Sequence, residues 1–171
     1  MAGTVYTVSP IPPDPEHTRY VEAGAVSFGV EWRLLDDAEL AAHYQGADME
    51  EIQEALQGNK VEDNGVSIHV VGAADGHEYL RFDCFTDGPH YHYIEPSGEK
   101  QTIVEFDPVA MGDMIAWTLV QLRTRLDVML EHAGGAGIAR TLDEARIEAG
   151  LVEVETLAAD ARAALAAQLE R

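Results

Sequence analysis

Val26, Phe28, Val30, Trp32 and Leu34 alternate with Ser27, Gly29, Glu31 and Arg33, which is the period of a strand with one buried face. Asp36 and Asp37 then offer an N-cap to a short helix ending near Tyr44, and Gly46 interrupts it. Asp48 with Glu51 reads as a capping box for a second helix. Its Met49, Ile52 and Leu56 share a face, and Gly58 closes it. Two hairpins follow. Residues 66–71 and 78–85 flank a turn whose Asp75-Gly76 pair suits a primed geometry; residues 91–94 and 102–106 flank Pro96 to Glu99. Consecutive strands on short links imply an antiparallel meander.

Pro108, capped by Asp107, opens what the pattern predicts to be one long helix. Met111, Ile115, Leu119, Leu122, Leu126 and Met129 step by four and three along it, giving an apolar stripe. Gly134, Gly135 and Gly137 end it. Thr141 and Glu144 read as a capping box for a last helical region, with a kink expected at Gly150. Its tail carries a thin stripe of Leu157, Ala161, Leu165 and Leu169, which should pack on the body or on a second copy. The N-terminal residues, with Pro10, Pro12, Pro13 and Pro15, read as an extended arm holding a short strand at residues 5–8.

The expected fold class is α+β. It has an antiparallel sheet of about five strands, in the order β-α-α-β-β-β-β-α-α, with helices packed on one face. The expected organisation is a proline-rich arm (1–20), a core domain (21–135) and a C-terminal helical extension (136–171). The second sheet face must be solvated, covered by the arm or buried in a dimer.

Charge narrows the function classes. Eleven basic against 31 acidic residues leave −20. Such a surface repels phosphate backbones and anionic membranes, so neither nucleic acid nor membrane is an expected partner. A salt-adapted or acid-rich proteome explains the same excess. No apolar run is long enough to cross a bilayer, and no leader pattern opens the chain, so a cytoplasmic location is expected. Cys84 is the single cysteine, which rules out an intrachain disulfide or a multi-cysteine metal site; flanked by apolar residues, it reads as inert.

The stretch from Phe82 to Tyr93 is the one that folding explains least. In a strand, His90 and His92 share one side, while Tyr91 and Tyr93 point to the other as core or interface. With Ser97-Gly98 at the hairpin tip, His90 lies opposite Glu105. Two imidazoles and a carboxylate on one face can hold a divalent metal such as Zn, Fe, Ni or Mn. His90, His92 and Glu105 are therefore the candidate ligands, with His69 or Asp83 as base or orienting group; Asp83 and Cys84 cannot both face this side. The competing account is an aromatic-rich strand whose histidines are hydrogen-bonded at a sheet surface. The stretch resembles the first metal-binding motif of the cupins, but its glycine, histidine and Glu95 or Glu99 spacings differ, no second cupin motif is present, and nothing is carried over from that family. No catalytic residue is assigned and no organic-cofactor motif is found.

Two functional readings result. The first is a small acidic accessory protein, a subunit or helper of a larger assembly. It would be homodimeric, because two helical regions offer more apolar face than one sheet face buries. Composition and element order are loosely similar to those of small acidic secretion chaperones. The second is a metal-dependent enzyme or small-ligand-binding protein built on His90 and His92.

Overall fold

The structure is a computed structural model that describes residues 2–171; Met1, the first residue of the expected arm, lies outside them. The chain runs β1 (Thr4–Tyr6), β2 (Arg19–Ala23), β3 (Val26–Asp36), α1 (Asp37–His43), α2 (Gly46–Leu56), β4 (Glu62–Gly72), β5 (Glu78–Phe85), β6 (His90–Ile94), β7 (Gln101–Glu105), α3 (Pro108–Met111), α4 (Met114–Thr124), α5 (Leu126–His132), α6 (Ala136–Ala139) and α7 (Glu144–Leu169). The strands form one antiparallel sheet in the order β1-β7-β6-β5-β4-β3-β2.

The α+β class and the antiparallel sheet hold, but the sheet has seven strands rather than about five. The two additional strands lie in or beside the expected arm. β1 is the short arm strand, at Thr4–Tyr6 rather than residues 5–8, and it pairs with β7 to join the sheet; β2 buries only Val21 and Ala23, too few for a periodic signal.

Alternation sorts the central strands onto two faces. Phe28 and Val30, Val66 and Ile68, and Leu80 and Phe82 meet Leu119, Leu122, Leu130, Leu151 and Val154 in one apolar core beneath the helices. The helical layer is more broken than the periodicity predicts. Gly112 takes φ 79°, which ends α3, and Asp113 recaps the chain by accepting from the Ala116 amide. A second break falls at Arg125. The apolar stripe survives the second break, with Ile115, Leu119, Leu122, Leu126 and Met129 all buried, but not the first, since Met111 is exposed and α3 buries nothing.

Two capping expectations also fail. α2 starts at Gly46 behind Gln45, and Glu51 is engaged instead by the backbone and hydroxyl of Thr7. α7 is capped by Asp143, not Thr141. Nor does Gly150 kink α7, which runs unbroken for 26 residues. A Cβ there would lie 3.0 Å from Ala23 Cβ and 3.5 Å from the Phe28 ring. The glycine lets helix and sheet close on each other. Gly150→Val should therefore lower stability by about 1–3 kcal/mol. A urea midpoint equal to wild type would contradict this close approach.

The arm covers the other sheet face. Val8, Ile11 and Thr18 are buried against it, with Leu40 of α1 alongside. Few donors are available in a proline-rich segment, but its carbonyls are free to accept. The Val8 carbonyl accepts from Gln101 Nε2 at 2.8 Å and the Ile11 carbonyl from Arg81 Nη1 at 2.7 Å. Asp14 N–H donates to Glu31 Oε2 at 2.9 Å. At the other end, α7 buries Ile147, Leu151, Val154 and Ala158, so both flanking segments pack on the core. Among the described residues, no helix is long and apolar enough to cross a membrane.

Candidate metal centre

His90 and His92 lie two residues apart on β6 and face the arm. Asp83 on β5 pairs with His90, and Ser67 on β4 pairs with Asp83. Cross-strand register thus delivers all four side chains to one row or its neighbour. His92 Nε2 lies 3.0 Å from Asp83 Oδ2, and His90 Nε2 lies 3.4 Å from the same oxygen. One ligand atom from each of the three residues falls within 4.8 Å of the others. The Ser67 hydroxyl donates to Asp83 Oδ1 and fixes the carboxylate plane. The side chains of Asp83 and His92 are each only 6% exposed, whereas His90 is 21% exposed and forms the open edge.

Hydrogen bonds around the rings decide where their protons sit. Gln101 Nε2 is a donor only, and it is spent on the Val8 carbonyl. Its Oε1, 2.7 Å from His92 Nδ1, must therefore accept, so Nδ1 carries the hydrogen. His90 Nδ1 faces the Gly88 carbonyl at 2.6 Å and also carries a hydrogen. Asp63 holds that carbonyl in place by accepting from the Thr86, Asp87 and Gly88 amides. Both Nε2 atoms are left pointing at Asp83 Oδ2. Each needs a proton or a cation there, because a bare lone pair would face a carboxylate oxygen.

Two imidazolium rings do not fit together here, with centroids 4.8 Å apart and little solvent. Burial pushes His92 below the usual imidazole range. At His90 burial acts in the same sense and is the largest single effect, but the hydrogen bond and charge of Asp83, with the Gly88 carbonyl, together outweigh it and the net direction is up. Burial opposes ionisation of Asp83 as well, yet the two histidines hold it well below the usual carboxylate range. The charged groups are then Asp83 and His90, and the His92 Nε2 lone pair remains opposed to Oδ2.

Glu105 lies opposite His90, in the register expected from the turn. It is exposed at the end of β7 and is not among the three converging residues. Asp83 supplies the carboxylate instead, from a central strand beneath the arm. Cys84, one residue further, faces the other side, where burial pushes its thiol well above the usual range.

His69 belongs to a second buried cluster. Its Nε2 is 3.0 Å from Glu31 Oε1 and its Nδ1 2.5 Å from Glu78 Oε1. Arg81 grips both oxygens of Glu78 at 2.8 and 2.7 Å. A ring with a carboxylate at each nitrogen is an imidazolium. Burial disfavours that charge, but the two hydrogen bonds outweigh it and raise the His69 pKa. Sequence reasoning missed Glu31, Ser67, Glu78 and Gln101. Their shared signal was polar residues recurring in one phase of several strands, a pattern that also describes a solvated face.

The chain belongs to the family described as "Domain of unknown function (DUF7700)", which matches residues 20–158. That span contains Asp83, His90, His92 and Gln101, while the arm residues from Ala2 to Arg19 fall outside it. No curated protein and no solved structure matches the chain.

Proposed function

We propose, starting from a family described without an activity, that this protein binds a divalent transition metal through Asp83 Oδ2 and the Nε2 atoms of His90 and His92. One observation carries the reading: both Nδ1 hydrogens are engaged elsewhere, so two ring nitrogens and a carboxylate oxygen converge with too few protons to separate them. Orienting a ligand histidine through its other nitrogen is the usual arrangement at metal sites. Two nitrogens and one oxygen suit Zn, Fe, Ni or Mn. In a tetrahedral ion three protein ligands leave one position for water, and a bound water there is acidified toward neutral pH. The exposed edge of His90 is the side by which the ion and small reactants reach the centre.

Chelator-stripped, tag-free protein should take up one equivalent of zinc in equilibrium dialysis with elemental analysis. Stripped protein that takes up none, while remaining folded, would end the reading.

The second reading is an accessory protein that works as a homodimer. It is favoured by apolar side chains left outside the core: Val120 and Val128 in the helical layer, and Val152 and Leu169 on α7. Light scattering should then give twice the monomer mass. A concentration-independent monomer would count against it. The acidity of the chain supports a location and partners away from nucleic acid and anionic membranes.

A further inference from the structure

On the face of β6 turned away from the histidines, Tyr91 and Tyr93 point toward the helices. Between them and α4 and α5 lies a surface cleft of about 460 Å³. That volume is in the range of small-molecule sites. Its walls are aromatic. Trp117 stands 5.4 Å from Tyr91 between centroids, Tyr91 stands 5.7 Å from Tyr93, and His132 meets the edge of Tyr93 at 4.5 Å. Gln121 and Arg125 complete the polar part of the lining.

Charge separates this cleft from the rest of the surface. The chain has 31 acidic residues, yet none lines it. Four other clefts each carry at least one carboxylate. Arg33, Arg81, Arg123, Arg146 and Arg162 each have a carboxylate partner. Arg19, Arg125, Arg140 and Arg171 have none among the described residues, and of these only Arg125 lines one of the five clefts. A guanidinium left free beside these tilted and edge-on rings disfavours a cationic guest, which such rings would otherwise attract. It favours a flat guest bearing an acid, with the ring against Trp117 and Tyr91 and the acid on Arg125. Gln121 is a further donor, whereas the Tyr93 hydroxyl is turned to Tyr91. That hydroxyl stays protonated at neutral pH, since burial and the neighbouring Tyr91 push it up to about 12.

We propose that this cleft is a binding site for a small aromatic carboxylate. It is independent of the metal centre, which lies across the thickness of the sheet. The test is titration calorimetry on chelator-stripped protein, so that coordination of the acid to a metal is not counted. The probes are 2-naphthoate, its neutral amide and benzyltrimethylammonium. Naphthoate should bind with Kd below about 1 mM and at least about tenfold more tightly than the amide, the ammonium not at all. Arg125→Gln, at an exposed residue outside any ion pair, should erase the preference for the acid. Val128→Trp, which fills the mouth, should weaken both naphthyl probes. Equal affinity for acid and amide, no saturable binding of naphthoate, preferential ammonium binding, or an Arg125→Gln variant that keeps the preference would each overturn the proposal.

Discussion

Asp83→Asn should abolish metal uptake without unfolding the protein. The substitution keeps the shape of the side chain and removes the charge that holds the ion. It also supplies an N–H where His92 Nε2 presents a lone pair 3.0 Å away, so the metal-free variant gains a hydrogen bond that the wild type lacks. The expected results are a fall in zinc affinity of at least about 100-fold and the loss of zinc-dependent stabilisation. In the wild type that stabilisation is about 2.7 kcal/mol at a free ion concentration 100 times Kd. His92→Ala should lose uptake likewise. Gln101→Leu, which frees the ring without touching the ion, should cost less, on the order of tenfold. A folded Asp83→Asn protein that still binds zinc at wild-type strength would show that the carboxylate is not a ligand.

Glu78→Gln should give the largest loss of stability. It strips one carboxylate from a buried cluster and leaves Arg81 and His69 short of a counter-charge, a change that typically costs about 3–5 kcal/mol. The pH dependence follows from the same groups. Burial opposes the Glu78 charge, but Arg81 and His69 overcome it and lower its pKa from 4.5 to about 2. Its contribution is therefore present above pH 4.5 and lost as the pH falls toward 2. The His69 pKa is raised above 6.5, so its contribution is present below 6.5 and lost as the pH rises through the higher folded value. Together they place the optimum of this layer between 4.5 and 6.5. Urea midpoints measured across pH should show both limbs in the wild type and a shallower acid limb in Glu78→Gln, where Glu31 and Asp83 still contribute one. An unchanged midpoint and profile would mean that the cluster carries no net stability.

Much of this geometry was legible because strand alternation is local. The period from Val26 to Leu34 gave β3, and the Ser97-Gly98 tip placed His90 opposite Glu105 as observed. Register alone did not choose the carboxylate. His90 has a neighbour on each side, Asp83 and Glu105, and the arm shelters the first while solvent takes the second. That choice depends on long-range contacts from Val8, Ile11 and Asp14, which no local pattern encodes. The same contacts turned an apparently solvated sheet face into a buried polar layer. The helix break at Arg125 escaped notice because the apolar stripe keeps its phase through it; the break at Gly112 escaped because Met111, though in phase by sequence, lies exposed on α3.

An ion is proposed to sit where Asp83 Oδ2 and the two Nε2 atoms converge. Anomalous diffraction across the zinc edge, from crystals of zinc-loaded protein, tests it most directly. One peak is expected within about 2.0–2.2 Å of all three atoms. A map with no peak there, and zinc held only by exposed carboxylates, would contradict it.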